Sequence, residues 1–244
     1  MIVMEDEILE KISNKILENY DAVKNYYYDK SDEEVLKEAK KSKDYGDGSD
    51  VFINGGTLYS EIKFNKFRVT TILNYIFNKG NFNNIVGIEG KNGLKLYEKF
   101  YPYQLRKMMM GNKLHEIAEK YASTLDRFSI EENLYANIDG DTVVGRLDLA
   151  HKNSDGNTII DIKTGKIHED LAKIQLAIYA YMYSIKHSID EKINVAIVSP
   201  NEVLRSTFDE SDIKNYLRIF IDAKNELKNE LSEGKFYVFK KTLA

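Results

Sequence analysis

Two short stretches of the sequence carry side chains that could do chemistry together. Thr142 to Ala150 reads as a strand with Val144, Arg146 and Asp148 on one face, and Thr158 to Lys163 reads as a strand with Ile159, Asp161 and Lys163 on one face, because strand side chains alternate. An ionisable pair two residues apart is unusual on a half-buried sheet, where charge is costly. As antiparallel neighbours, the two strands would place Asp148 near Asp161 with Lys163 beside them. Two carboxylates offer hard oxygen ligands to Mg²⁺ or Mn²⁺. Such an ion polarises a phosphoryl oxygen and lowers the pKa of a bound water. Lys163 would orient that water or neutralise charge developing on a phosphate. The plain alternative is an exposed strand end bearing ordinary surface charges.

The neighbouring segments are those needed to hold such a site. Gln104 to Leu125 reads as a helix with Leu114, Ile117, Ala118 and Tyr121 as its apolar stripe. His115 lies at the edge of the stripe carrying Ala118 and Ala122, so it can face the sheet, whereas Glu116 faces solvent. Leu134 to Ile138 is a strand, and Asp139-Gly140 is a hairpin signal leading into Thr142 to Ala150. Asn153 to Asn157 is a polar turn before Thr158 to Lys163. Asp170 to His187 is a long helix, on which Gln175 and Tyr179 are four apart and share a face. Ile193 to Val198 is a buried strand, and Asp209 to Glu233 is an amphipathic helix stopped by Gly234. The expected class is α/β (α+β), with a central mixed sheet flanked by helices in the order α-β-β-β-α-β.

Upstream, residues 4 to 40 read as two helical stretches, the second opening on a Ser31/Glu34 capping box. Lys43 to Gly56 and Asn78 to Gly93 read as loops, with a helix from Thr70 to Phe77 between them. Residues 1–45 are therefore expected to be an N-terminal helical appendage and 46–244 the main domain, with its core at 104–200. The 244 residues are 43% hydrophobic, enough for one sizeable core. The net charge of -4 gives no basic signature of a nucleic-acid binder, but local potential matters more than the total. There are no cysteines, which excludes disulfides, thiolate zinc sites and Cys-ligated iron–sulfur clusters. The N-terminus lacks a signal-peptide pattern and no apolar run approaches the ~20 residues of a membrane span, so a cytoplasmic protein is expected.

Gly145-Arg146-Leu147-Asp148, then Asp161-Ile162-Lys163-Thr164-Gly165, then Gln175-Leu176-Ala177-Ile178-Tyr179 resembles the RecB-type branch of the PD-(D/E)XK nucleases. Gly111-Asn112-Lys113-Leu114-His115-Glu116 resembles that branch's upstream Gly-x-x-x-His helix. Phe67-Arg68-Val69-Thr70-Thr71-Ile72-Leu73 is similar to a Ser-Val-Thr-Thr-x-Leu segment of phage and mitochondrial-maintenance exonucleases, with Arg68 in place of the serine. The resemblance implies a restriction-endonuclease-like core and a metal-dependent DNA nuclease. It implies that Asp148, Asp161, the Ile162 carbonyl and His115 ligate Mg²⁺ or Mn²⁺. It makes Lys163 the catalytic lysine, with Gln175 and Tyr179 orienting it and contacting DNA. Many relatives, including CRISPR-adaptation nucleases, hold an iron–sulfur cluster on four cysteines, and Gly234-Lys235-Phe236-Tyr237 stands where such relatives have cysteines nearby, so a cluster-free nuclease is implied.

The expected activity is that of an exonuclease or flap-type nuclease on DNA ends or single strands, with a helicase or recombination partner and a homo-oligomer as possible associations. The alternatives are a restriction-type or junction-resolving endonuclease of the same fold, and a catalytically inactive DNA-binding module. Thr70 reads as a helix cap or a phosphate contact, Phe100, Tyr101 and Tyr103 as core or base-stacking aromatics, and Met108 to Met110 as packing.

Overall fold

The spine of the fold is one long strand whose two edges are used differently. A computed structural model describes residues 2–39, 66–78, 102–153 and 156–232. The loops expected at Lys43 to Gly56 and after Asn78, Phe100 and Tyr101, the side chain of Tyr103, and Gly234 to Tyr237 lie outside the described residues. The spine is β3 (Asp141–Asn153). On one edge it pairs antiparallel with β2 (Phe128–Ile138), from Phe128 opposite His151 to Ile138 opposite Asp141. The hairpin turns on Asp139 and Gly140, with φ of 53° and 80°. Positive φ at both central residues matches the right-handed twist of the strands it joins.

The other edge of β3 is shared. β1 (Lys66–Arg68) runs parallel beside Thr142 to Val144, and β4 (Gly156–Ile162) runs antiparallel beside Leu149 to Asn153. Beyond β4 come β5 (Ile193–Val198), parallel to it, and β6 (Val203–Phe208), antiparallel to β5. β1 and β6 were not expected. β1 alternates, with Phe67 buried between exposed Lys66 and Arg68, but is only three residues long, and β6 is an edge strand whose consecutive Arg205, Ser206 and Thr207 are exposed, so neither offers a readable pattern.

Helices cover both faces of the mixed sheet. They are α1 (Ile2–Tyr28), α2 (Asp32–Ala39), α3 (Val69–Asn78), α4 (Pro102–Ala122), α5 (Glu169–His187) and α6 (Glu210–Ser232). One core gathers Ile72 and Tyr75 of α3, Ala177 and Ile178 of α5, and Phe220 and Leu227 of α6 against Val143, Leu147 and Ile159. A second gathers Ile12 and Ile16 of α1, Val35 of α2 and Leu114 and Ala118 of α4 with Leu149, Ile160 and Val198. The N-terminal helices, expected as an appendage, thus share the second core: the sequence shows their apolar stripe but not what it packs on. Ser13 Oγ of α1 donates to the Ser199 carbonyl at 2.6 Å. The Ser31/Glu34 box forms as expected, with Ser31 N–H donating to Glu34 Oε2 at 2.8 Å and Glu34 N–H donating to Ser31 Oγ at 3.3 Å. No helix among the described residues is long and apolar enough to cross a membrane.

Candidate active site

The pairing of β3 with β4 runs from Asn153 opposite Gly156 to Leu149 opposite Ile160, and there the ladder stops. One step further in the same register stand Asp148 and Asp161. At this level the β2–β3 ladder is also interrupted, because Glu131, opposite Asp148, takes a φ of 50°. Leu147 joins the first core and Leu149 the second, so β3 turns its faces over at Asp148. The ladder break is what admits a carboxylate. The N–H of Ile162, past the end of the ladder, donates to Asp148 Oδ2 at 2.8 Å. The N–H of Lys163 donates to the Val198 carbonyl at 2.9 Å, so β5 still fixes this end of the strand.

Three side chains close a circuit on the other half of the site. Lys163 Nζ is 2.9 Å from Asp161 Oδ2 and donates to Gln175 Oε1 at 3.0 Å. Gln175 Nε2 donates back to Asp161 Oδ1 at 3.0 Å. Tyr179, one turn further along α5, is buried with its ring against Gly145. A Cβ on Gly145 would stand 2.5 Å from Tyr179 Cε1, so a glycine is required there by close approach. From α4, His115 Nε2 lies 3.2 Å from Asp148 Oδ2, and its Nδ1 lies 3.2 Å from Glu119 Oε1.

These contacts set the charges. Burial pulls the His115 imidazolium down, but the carboxylates of Asp148 and Glu119 beside its two nitrogens outweigh it and hold the ring up to about 10. Burial pushes Asp148 up, but His115 and the Ile162 N–H hold it below the ordinary carboxylate value. Asp161 is pushed up to about 6 by burial, against the pull of Lys163 and with the added repulsion of Asp148. Two buried carboxylates in one site share a charge unequally in this way. Burial lowers Lys163, but Asp161 outweighs it and keeps the ammonium charged. Burial and the two aspartates raise the Tyr179 phenol, so it stays neutral.

His115, Asp148, Asp161, Ile162, Lys163, Gln175 and Tyr179, all singled out from the sequence, line one cavity of about 810 Å³. Glu119 was missed, though its place four residues after His115 on one helix was a signal in hand. Glu116 is exposed and pairs with Lys113, and Met109 and Met110 are buried, as expected of each. Thr70 lines the cavity where α3 begins.

Among the described residues, no three His, Cys, Asp or Glu side chains are already arranged around a common metal position. Both nitrogens of His115 are taken by carboxylates, and a ligating imidazole must first be neutral. The oxygen donors nonetheless suit a hard divalent cation. Asp161 Oδ2 is buried and accepts no well-aligned hydrogen bond, despite its ion pair with Lys163. Such an oxygen has bonding capacity that a cation can use.

No family model matches the chain, and no curated protein matches it. Among solved structures it is similar to SSO0001, with 18% identity and a TM-score of 0.40 over 71% of this chain and 85% of that one. A likeness of that size shows neither an activity nor a ligand.

Proposed function

We propose that the protein is a metal-dependent DNA nuclease of the RecB-type PD-(D/E)XK branch, with a restriction-endonuclease-like core running α4-β2-β3-β4-α5-β5. The observation that carries this proposal is the placement of Asp148 opposite the Asp161–Lys163–Gln175 circuit, where two strands part at the floor of an open cavity. Asp148, Asp161 and the Ile162 carbonyl would hold Mg²⁺ or Mn²⁺, and His115 would join them on giving up its proton and its contact with Asp148. Bound there, the ion would supply Lewis-acid activation of the phosphate and an acidified water.

The chain's own groups do the rest. Gln175 holds Lys163 Nζ in place, so the ammonium is aimed before substrate arrives. Lys163 then neutralises charge that grows on the scissile phosphate. Tyr179 fills the space above Gly145 with a neutral ring and keeps that side of the circuit dry. His115, held charged by Asp148 and Glu119, balances the ionised Asp148.

The test is cleavage of end-labelled single- and double-stranded DNA with Mg²⁺ or Mn²⁺. Asp161→Ala is expected to abolish cleavage with the fold retained, since it removes a hard ligand. Wild-type cleavage by that variant would sink the mechanism. Comparing linear with closed circular DNA then separates exonuclease from endonuclease action.

A further inference from the structure

A row of outward-facing side chains leads to Asp148 from the far end of the β2–β3 hairpin. In register, Lys66, Thr142 and Asn137 form one rank across β1, β3 and β2. Arg68, Val144 and Tyr135 form the next, then Arg146 and Asn133, and then Asp148 opposite Glu131. Ranks two residues apart share a sheet face as far as Arg146, and that face ends at Asp148, where β3 turns over. Their side chains are exposed or half-buried, and Lys66, Arg68, Asn133, Tyr135 and Arg146 line the same cavity as the aspartates. The opposite faces of these strands carry the buried Phe67, Ala136 and Val143 of the first core.

Two features of this floor point to its occupant. The first is charge: Lys66, Arg68 and Arg146 lie along it, and no carboxylate interrupts the ranks before Glu131. Glu131 pairs with Arg146 at 3.1 Å, but both side chains are about half exposed, and such a surface pair is weak enough for a phosphate to displace. The second is Tyr135, which is 58% exposed at the β2 end of the rank that Arg68 opens and diagonal to Arg146 in the next. A large exposed aromatic on a floor that carries cations offers one π-face to a base while the cations take the backbone. A duplex hides its base faces by stacking, so an unpaired strand uses both features and a duplex only one.

We infer that this floor is a track for single-stranded DNA, with Tyr135 stacking on one base and Lys66, Arg68 and Arg146 holding phosphates on the way to Asp148. Tyr135 stands across from Val144, and Asp148 is four steps along the strand from Val144, about 13 Å. The base on Tyr135 is thus upstream of the phosphate at the carboxylates, and it positions the strand without touching the reacting atoms. This inference rests on the nuclease reading for the identity of the ligand, but it is tested by binding alone.

The experiment is fluorescence anisotropy of the full chain in EDTA with a labelled oligothymidine, a strand of equal length lacking its bases, and a duplex. The wild type should bind oligothymidine more tightly than either other ligand. Tyr135→Ala should weaken oligothymidine binding roughly 5- to 150-fold, since base–aromatic stacking is worth about 1–3 kcal/mol per base. Tyr135→Phe should bind as the wild type does. Lys66→Gln with Arg146→Gln should reduce the salt slope by about 1.4, or about 0.7 for each phosphate released. Equal binding of the baseless strand and oligothymidine by the wild type would overturn the inference, and that arm needs no variant to fold. Equal binding by Tyr135→Ala and wild type would overturn it as well. Base-dependent binding without cleavage in Mg²⁺ or Mn²⁺ would sink the nuclease reading and leave the track; cleavage with base-independent binding would do the reverse.

Discussion

Lys163 is held at two points, by Asp161 Oδ2 and by Gln175 Oε1, and neither partner needs to move for the ammonium to face the cavity. A preorganised cation of this kind acts mainly on the transition state. Lys163→Ala should therefore lower kcat by roughly 100- to 1000-fold while DNA affinity changes little. Lys163→Arg should not restore the rate, because a planar guanidinium cannot repeat a compact ammonium's contacts. Turnover under single-turnover conditions and binding by anisotropy check this, and equal losses in both would make Lys163 an ordinary phosphate-binding lysine. Most of these residues were legible in the sequence, because strand alternation pairs Asp161 with Lys163 and helical spacing pairs Gln175 with Tyr179. The double engagement of His115 was not, since it depends on how closely α4 approaches β3.

Between elements, two contacts decide whether the site holds its shape. Where α5 crosses β3, Gly145 lies under Tyr179, and Val69 Cγ2 is 3.3 Å from where a Cβ would be. Gly145→Ala should cost about 1–3 kcal/mol of stability as an overpacked core. It should also lower activity by tilting Tyr179, so that Tm and cleavage fall together. Unchanged Tm would mean that the ring moves freely.

The second contact locks α6 to the β2–β3 hairpin. The fully buried Lys224 Nζ donates to Asp141 Oδ2 at 2.5 Å and to the Ile138 carbonyl at 3.1 Å, while Lys228 reaches Asp141 Oδ1 at 2.7 Å. Burial raises the Asp141 carboxyl, but the two lysines outweigh it and hold its pKa below the usual 3.8. A carboxylate depressed on folding adds stability that is fully present above its unfolded value and is lost as pH falls through its folded value. Tm should therefore drop below about pH 4 in the wild type, and Asp141→Asn should lack that part of the drop. Identical pH profiles for the two proteins would remove Asp141 from the account. The hairpin itself was legible from Asp139-Gly140, but this lock was not, because 83 residues separate Asp141 from Lys224.

At the scale of the whole molecule, the question is what the first helix does. Its apolar positions Ile8, Ile12 and Ile16 show an amphipathic helix in sequence, and that pattern fits an appendage as well as a core layer. The fold settles its place, since Leu9, Ile12 and Ile16 are buried in one cluster with Ile160, Ile162, Ala196 and Val198. Those four belong to the strands that carry Asp161 and hold Lys163, and Ser13 is bonded to the residue after Val198. Removing the helix would bare the apolar underside of the site. Ile12→Ala should cost about 2–5 kcal/mol, as for other fully buried aliphatic side chains. Ser13→Ala should cost about 1 kcal/mol or more, because it leaves the Ser199 carbonyl without its buried donor. A chain beginning after Tyr28 should lose its cooperative thermal transition, measured by circular dichroism, together with any metal-dependent cleavage. An independent appendage makes the opposite demand: the shortened chain would melt as sharply, and at the same temperature, as the full one. Ile12→Ala discriminates without truncation, since in an appendage it would leave the main transition in place, whereas in a shared core it lowers the single transition of the whole protein.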